Sequence, residues 1–145
     1  MPEHVKGKVK FEISEISTYK ILIEKCKTVS PDFIEMAALA SALHSFYNGI
    51  EKIFVIIAKD FDKSLPNGFK WHNSLLDQMK NSNKFREEII NENDFYTLRK
   101  YLLFRHFYRH SYSWRLKWDE FSKLVFNLEN VWLNIKPKLL EFFKH

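Results

Sequence analysis

A chain of 145 residues with 46% hydrophobic and 28% charged residues has the composition of a soluble globular protein and excludes an intrinsically disordered one. The three glycines and four prolines are too few for the many tight turns of a β-rich fold, so helices are favoured. The formal net charge of +5 is compatible with a phosphate-bearing partner but does not require one.

The single cysteine, Cys26, excludes an intrachain disulfide bond and a cysteine-rich zinc site. No stretch of the sequence approaches the roughly 18 apolar residues of a membrane span. Residues 1–11 are polar and lysine-rich and lack the apolar run of a signal peptide. We therefore expect a single domain over residues 1–145, located in the cytoplasm.

The first two of five predicted helices cover about residues 10–28 and 31–62. Ser30 has the character of an N-cap, with Pro31 at the first helical position. Two adjacent apolar stripes on the second helix predict a central helix buried among its neighbours; the alternative is that the face near Gly49 packs against a second copy of the chain. The stripes consist of Phe33, Met36, Ala40, Leu43, Tyr47, Ile50, Phe54, Ile57 and Phe61, and of Leu39, Ala42, Phe46, Gly49, Ile53 and Ile56.

The clearest loop follows at residues 63–68, which include a proline and a glycine. A short third helix is predicted over about residues 69–80, and residues 84–93 are expected to form a mixed helical connection. The order of these elements is that of an all-α bundle.

The fourth helix is predicted from about Asp94, whose side chain suits the cap or the first turn, to about Tyr112. Residues 113–117 are a predicted break. The fifth helix begins at about Trp118 and continues to the C-terminus, with a kink or restart expected near Pro137.

The buried stripe of the fourth helix changes from apolar to cationic midway along its length. An unpaired buried charge costs several kcal/mol. The stripe must therefore open into a cleft or meet an anion at that point, unless the helix leaves the core there and the arginines reach water. The apolar part is Phe95, Leu98 and Leu102, and the continuation is Arg105, Arg109 and Tyr112.

His110 follows Arg105 by five residues, which places the two side chains about 140° apart around a helix axis. This angle is too wide for both groups to act on one atom, unless the helix deforms or a second subunit supplies the complement across a two-fold axis. Histidine transfers protons near neutral pH, and arginine binds phosphate and stabilises developing charge. Together they suffice for attack of a ribose 2′-hydroxyl on its own 3′-phosphate, without a metal ion.

Other interpretations of the polar residues have less support. His106 and His110 have the i, i+4 spacing of zinc ligands, but no glutamate lies between them and no third ligand is evident. His44 and His72 are expected to be hydrogen-bonded packing residues. The Asp60–Asp62 pair lacks the preceding Gly-Ser turn on a strand that a nucleotidyltransferase would need.

The pattern Arg105-x4-His110-x-Tyr112 resembles the motif of HepT-type toxins within the HEPN domains. The segments His44–Phe54 and Trp71–Met79 also resemble helices of HepT-like proteins, so the likeness spans about residues 30–135. This resemblance implies a dimeric HEPN-like helical bundle that cleaves RNA without a metal ion or other cofactor. Arg105 and His110 would be the catalytic pair in a groove at the homodimer interface.

The resemblance also implies partners. The substrate would be a tRNA or mRNA, and a nucleotidyltransferase antitoxin would inactivate the toxin by transferring AMP to Tyr112. Arg109, His106 and Asn48 would support the pair and bind RNA phosphates, although many HepT proteins carry Asn where this chain has His106. The alternatives are a non-catalytic HEPN module that binds partners, nucleotides or RNA, and a basic nucleic-acid-binding protein without cleavage.

Overall fold

The computed structural model describes residues 2–26, 30–112 and 115–144. These residues form five α-helices and no β-strand, with one isolated bridge between Asn83 and Arg86, so the predicted all-α fold is confirmed. The predicted end of the first helix near residue 28 and residues 113–114 of the predicted break lie outside the described residues. The helices are α1 (Glu3–Cys26), α2 (Phe33–Ile57), α3 (Trp71–Met79), α4 (Glu92–His110) and α5 (Trp118–Phe143).

Helix α1 begins at Glu3, well before the predicted start at residue 10. Val5 and Val9 are buried and continue, towards the N-terminus, the apolar spacing of Ile13 and Ile16. The alternating lysines of this segment obscure that spacing in the sequence, which is why the predicted start was wrong.

Helix α2 is capped by Asp32, so the predicted cap at Ser30 is wrong. The Asp32 carboxylate accepts a hydrogen bond from the Glu35 backbone N–H (2.8 Å), and the Glu35 carboxylate accepts one from the Asp32 N–H (3.1 Å). This reciprocal capping box satisfies two backbone donors at once. Ser30 has no acidic residue three positions later, so it cannot form such a box, and Pro31 consequently precedes the helix.

The centre of α2 is buried, and α1 covers one side of it. A Cβ atom at Gly49 would lie 2.6 Å from Ile16 Cγ1, so the two helices approach each other closely at this glycine. The interpretation of α2 as a central helix is confirmed. The alternative, a second copy packed near Gly49, is wrong because α1 of the same chain occupies that face. Of the two stripes, only Phe33 in the first turn is largely exposed.

Helix α2 ends in a π-helical turn, Ala58–Asp62, after which Lys63 adopts a left-handed backbone (φ 58°). The predicted helical connection over residues 84–93 is wrong for residues 84–91, which are irregular, while residues 92–93 belong to α4. The backbone N–H groups of Ile89 and Ile90 donate to the Met79 carbonyl at the end of α3. Their burial holds this irregular segment against the core.

Helix α4 is capped by Asn91, and Asp94 closes the box: the Asn91 side chain accepts from the Asp94 N–H (2.8 Å), and the Asp94 carboxylate accepts from the Asn91 N–H (3.0 Å). The same carboxylate accepts hydrogen bonds from Asn134 (2.6 Å) and Lys138 of α5.

Helix α5 runs through Pro137 without interruption, so the predicted restart is wrong. Asn134 and Lys138 lie on either side of this proline. The contacts on both sides of Pro137 help to offset the backbone hydrogen bond that proline removes.

All five helices contribute to one cluster of buried apolar side chains, with α2 in contact with each of the other four. Within the described residues, no helix combines the length and the apolar character that crossing a membrane would need. The C-terminal half of α4 therefore packs against α2, α3 and α5 and faces solvent on its remaining side.

Candidate active site

Arg105 lies on the buried side of α4, where only 3% of it is exposed. Its Nη1 donates to Glu51 Oε1 (2.8 Å) and to Asn48 Oδ1 (3.0 Å). Asn48 and Glu51 are about one turn apart on α2, so one face of that helix binds the guanidinium. The anion that the cationic stripe required is therefore a carboxylate of the same chain.

His72, in the first turn of α3, is the third neighbour of the guanidinium. Its Nδ1 lies 2.8 Å from Glu51 Oε2, while Arg105 Nη2 lies 3.0 Å and 3.4 Å from Nδ1 and Nε2. An atom so close to both ring nitrogens cannot lie in the ring plane without colliding with the carbon between them, so Nη2 lies over the imidazole face. We infer that Nδ1 donates its proton to Glu51, in the ring plane, and that the guanidinium stacks on the ring.

His44 occupies the opposite side of Asn48. The Asn48 amide nitrogen is 3.4 Å from His44 Nδ1, and the imidazole packs on the Tyr108 ring with centroids 5.0 Å apart. Burial lowers the pKa of His44, and the positive charges of Arg105 and Arg109 lower it further. His44 is therefore a neutral imidazole at neutral pH, and its buried Nε2 has no hydrogen-bond partner among the described residues.

The lowered pKa of His44 predicts how stability depends on pH. The unfolded chain binds a proton on this residue below about 6.5, its ordinary pKa, whereas the folded chain resists it. The free energy of unfolding should therefore fall as the pH decreases from about 6.5, and it should fall less in His44→Gln, which cannot titrate. Urea unfolding of both proteins between pH 7.5 and about 5 measures the difference. Parallel pH curves for the two proteins would contradict the prediction.

The remaining polar residues of the α4 terminus face solvent. His106, Arg109 and His110 are exposed, and the rings of His106 and His110 lie 4.5 Å apart between centroids. Tyr112, just beyond the helix, is 61% exposed and borders a shallow hollow with Tyr108. Among the described residues, no group of three or more His, Cys, Asp or Glu side chains is placed to hold a metal ion.

Comparison with known proteins adds one finding. Residues 38–145, well over half of the chain, match a family model described as HepT-like protein. The chain belongs to the HepT-like family. No curated protein and no solved structure is similar enough to the chain to count as a match. The predicted resemblance is confirmed, and the chain is a HEPN toxin-like protein.

In this HepT-like chain, the predicted site residues divide into two groups. Arg105 and Asn48 meet inside the bundle, whereas His110, His106 and Arg109 lie on its surface together with Tyr112. The interpretation that the arginines of the stripe simply reach water is wrong for Arg105, which is buried, and matches Arg109, which is exposed. The two motif residues, Arg105 and His110, therefore face different directions within one chain.

Two neighbours of the motif were missed by the sequence interpretation. The sequence assigned no role to Glu51 and predicted only packing for His72, yet both contact Arg105. A signal for Glu51 existed: it follows the buried Tyr47 by four residues, so it belongs to the edge of the apolar stripe. An arginine on a buried stripe requires such an acid on a facing helix.

Proposed function

We propose that this HepT-like protein is a toxin of a toxin–antitoxin system and a metal-independent RNA endonuclease, with Arg105 and His110 as its catalytic pair. The observation that carries the proposal is the orientation of Arg105. Its guanidinium is fixed by Asn48 and Glu51 at the base of a helix terminus that presents two exposed histidines and Arg109. Proton-transfer groups and phosphate-binding groups thus belong to the same helix terminus, although on different faces of it.

The proposed reaction is an attack of the ribose 2′-oxygen on the adjacent phosphorus. The O2′–P bond forms and the P–O5′ bond breaks, which leaves a 2′,3′-cyclic phosphate and a free 5′-hydroxyl. In each site, His110 of one copy takes the 2′-hydroxyl proton and Arg105 of the other copy donates to the non-bridging phosphate oxygens. Water protonates the leaving 5′-oxygen, and the proton held by His110 returns to the solvent. His106 and Arg109, both exposed, bind neighbouring phosphates.

The two directions in which the motif points support a homodimer. Arg105 faces α2 and α3, whereas His110 faces solvent on the far side of α4. A second copy related by a two-fold axis beside α4 brings His110 of each chain towards Arg105 of the other. The result is one groove with two equivalent sets of catalytic groups.

Cleavage of RNA in the presence of EDTA tests the activity. Purified protein should cut tRNA or mRNA with excess chelator present and leave 2′,3′-cyclic phosphate ends, which phosphatase alone cannot remove. Arg105→Lys serves as the matched control, because it keeps the charge but loses the planar set of donors. Cleavage that stops in EDTA, or that continues unchanged in Arg105→Lys, would contradict the proposal.

Regulation by AMP transfer is proposed for Tyr112. This residue is 61% exposed, and a phosphate attached there would add negative charge three residues from the exposed Arg109 and oppose the binding of RNA phosphates. Incubation with a cognate nucleotidyltransferase antitoxin and ATP should add the mass of AMP to the wild type and not to Tyr112→Phe. Tyr96→Phe, which alters an exposed tyrosine within α4, is the control that should still be labelled. Label on Tyr112→Phe would reject this acceptor.

A second candidate function has one observation in its favour. Arg105 is buried and ion-paired with Glu51, which is also what a purely structural arginine looks like. In that case the chain is a non-catalytic HEPN module that binds a partner, a nucleotide or RNA. Binding of RNA without any cleavage, unaffected by Arg105→Lys, would favour this function over the first.

A further inference from the structure

We propose that Glu51 is the positioning residue of the site: it holds Arg105 so that one edge of the guanidinium stays available to a phosphodiester. His72 assists by covering one face of the guanidinium. This inference rests on the proposed function, because it assigns Arg105 the role of phosphate donor. Glu51 and His72, both outside the motif, thereby contribute to the reaction, and the Nε edge of the Arg105 guanidinium is the part that binds the substrate.

The hydrogen-bond donors of Arg105 are used unevenly. Both hydrogens of Nη1 are engaged, by Glu51 Oε1 and by Asn48 Oδ1, and Nη2 lies over the His72 ring. Among the residues that the structure describes, none accepts a hydrogen bond from Nε–H. In a guanidinium, Nε–H and one Nη2 hydrogen lie along the same edge. That edge has the spacing of two phosphate oxygens and can donate to both.

Arg86 shows what a structural arginine of this fold looks like. Its side chain is as buried as that of Arg105, and it also pairs with a carboxylate, that of Asp62, through Nε and Nη2 at 2.7 Å each. All five of its donors are used, because Nη1 and Nη2 also donate to three backbone carbonyl groups. Arg86 has no donor left for a ligand, whereas Arg105 keeps an edge, and this difference argues against a merely structural role for Arg105.

Glu51 connects three helices through its two oxygens. Oε1 accepts from Arg105 of α4, and Oε2 accepts from His72 of α3, while Glu51 itself belongs to the central helix α2. The Trp71 ring lies 3.7 Å from the His72 ring between centroids and limits its movement. The carboxylate is thus fixed from two sides. Loss of its charge would allow the guanidinium to rotate and would offer the phosphate a different set of donors.

The test compares two buried carboxylates, Glu51→Gln and Asp62→Asn. Each change removes the charge beside one buried arginine and preserves the side-chain shape. Glu51→Gln should lower the single-turnover rate of RNA cleavage by about 10- to 100-fold, with a smaller change in KM, because the loss falls on the oriented transition state. Asp62→Asn should lower the melting temperature at least as much and leave the rate within about 2-fold of wild type. The side-chain amide of His72→Asn can donate to Glu51 in place of the Nδ1–H group. This variant should therefore lose less activity than His72→Ala, which has no side-chain donor.

A result in which Glu51→Gln cleaves as fast as wild type would overturn the inference. It would also be overturned if Asp62→Asn lost as much activity as Glu51→Gln, because the effect would then report general destabilisation. Both rates are measured at a temperature at which circular dichroism shows every variant to be folded.

A second measurement does not require cleavage. In ¹⁵N NMR spectra, the Arg105 Nε–H resonance is assigned by its absence in Arg105→Lys, and a short 2′-O-methyl RNA, which cannot be cleaved, is then added. We expect this resonance to shift in the wild type and in Asp62→Asn, and not in Glu51→Gln. A shift without any cleavage of ordinary RNA would reject the ribonuclease and retain the positioning role. An unshifted resonance in a wild type that does bind the RNA would reject the positioning role alone.

Discussion

Mixing Arg105→Ala chains with His110→Ala chains is expected to restore RNA cleavage that neither variant has by itself. Each variant alone should lose roughly 10²- to 10⁴-fold in rate, because a proton-transfer group or the phosphate-binding cation is missing from both sites of its dimer. In a mixed dimer, one site combines the intact Arg105 of one chain with the intact His110 of the other. With random pairing, about half of the dimers are mixed and each has one active site, so about a quarter of wild-type activity returns in the mixture and about half in mixed dimers purified from it.

The measurement uses two differently tagged chains, refolded together and purified through both tags. The matched control pairs wild type with the double variant Arg105→Ala/His110→Ala. If the site is shared between chains, this mixed dimer has no complete site and is inactive. If each chain carries its own site, the control retains half of wild-type activity and the first mixture stays inactive. That reversed pattern would place the site within one chain and reject the shared groove.

Helical periodicity predicted which face of α4 each motif residue occupies, but not what lies opposite. The stripe from Leu98 and Leu102 to Arg105 correctly indicated a buried arginine that needs an anion or a cleft. The anion is Glu51, 54 positions away in the sequence and on a different helix. A pattern within one helix contains no information on such a partner, because the contact depends on how α2, α3 and α4 pack together.

The start of α2 and the course of α5 at Pro137 were both predicted wrongly, for different reasons. Ser30 and Pro31 form an acceptable helix start on their own, yet Asp32 prevails because Glu35 completes a reciprocal pair of hydrogen bonds. Pro137 indicated a break, yet α5 continues through it. The bonds from Asn134 and Lys138 to Asp94 are tertiary contacts, and the sequence of α5 alone does not show them.

Asp62→Ala should produce the largest loss of stability among the polar replacements considered, about 3–5 kcal/mol. The Asp62 and Arg86 side chains are 2% and 3% exposed, so removal of the carboxylate leaves a guanidinium in the interior without its counter-charge. Burial alone would raise the pKa of Asp62, but hydrogen bonds from Arg86 and Gln78 outweigh it and hold the pKa below its ordinary value. The ionised carboxylate is thus strongly favoured in the folded chain. Urea unfolding at pH 7 measures the change in the free energy of unfolding.

Two controls separate the ion pair from a general effect of substitution at this turn. Asp60→Ala alters an exposed aspartate in the same π-helical turn and should change stability by no more than about 0.5 kcal/mol. Asp62→Leu combined with Arg86→Met removes both charges and should cost less than Asp62→Ala alone, since no charge stays buried and unpaired.

A double replacement that costs as much stability as Asp62→Ala would contradict this prediction. It would show that residues 81–87 are held to the end of α3 by the hydrogen bonds from Arg86 to backbone carbonyl groups, and not by its charge pairing. The stability of that segment would then depend on the guanidinium as a hydrogen-bond donor, and Arg86→Lys, which keeps the charge and loses the planar donors, would be as damaging as Arg86→Met.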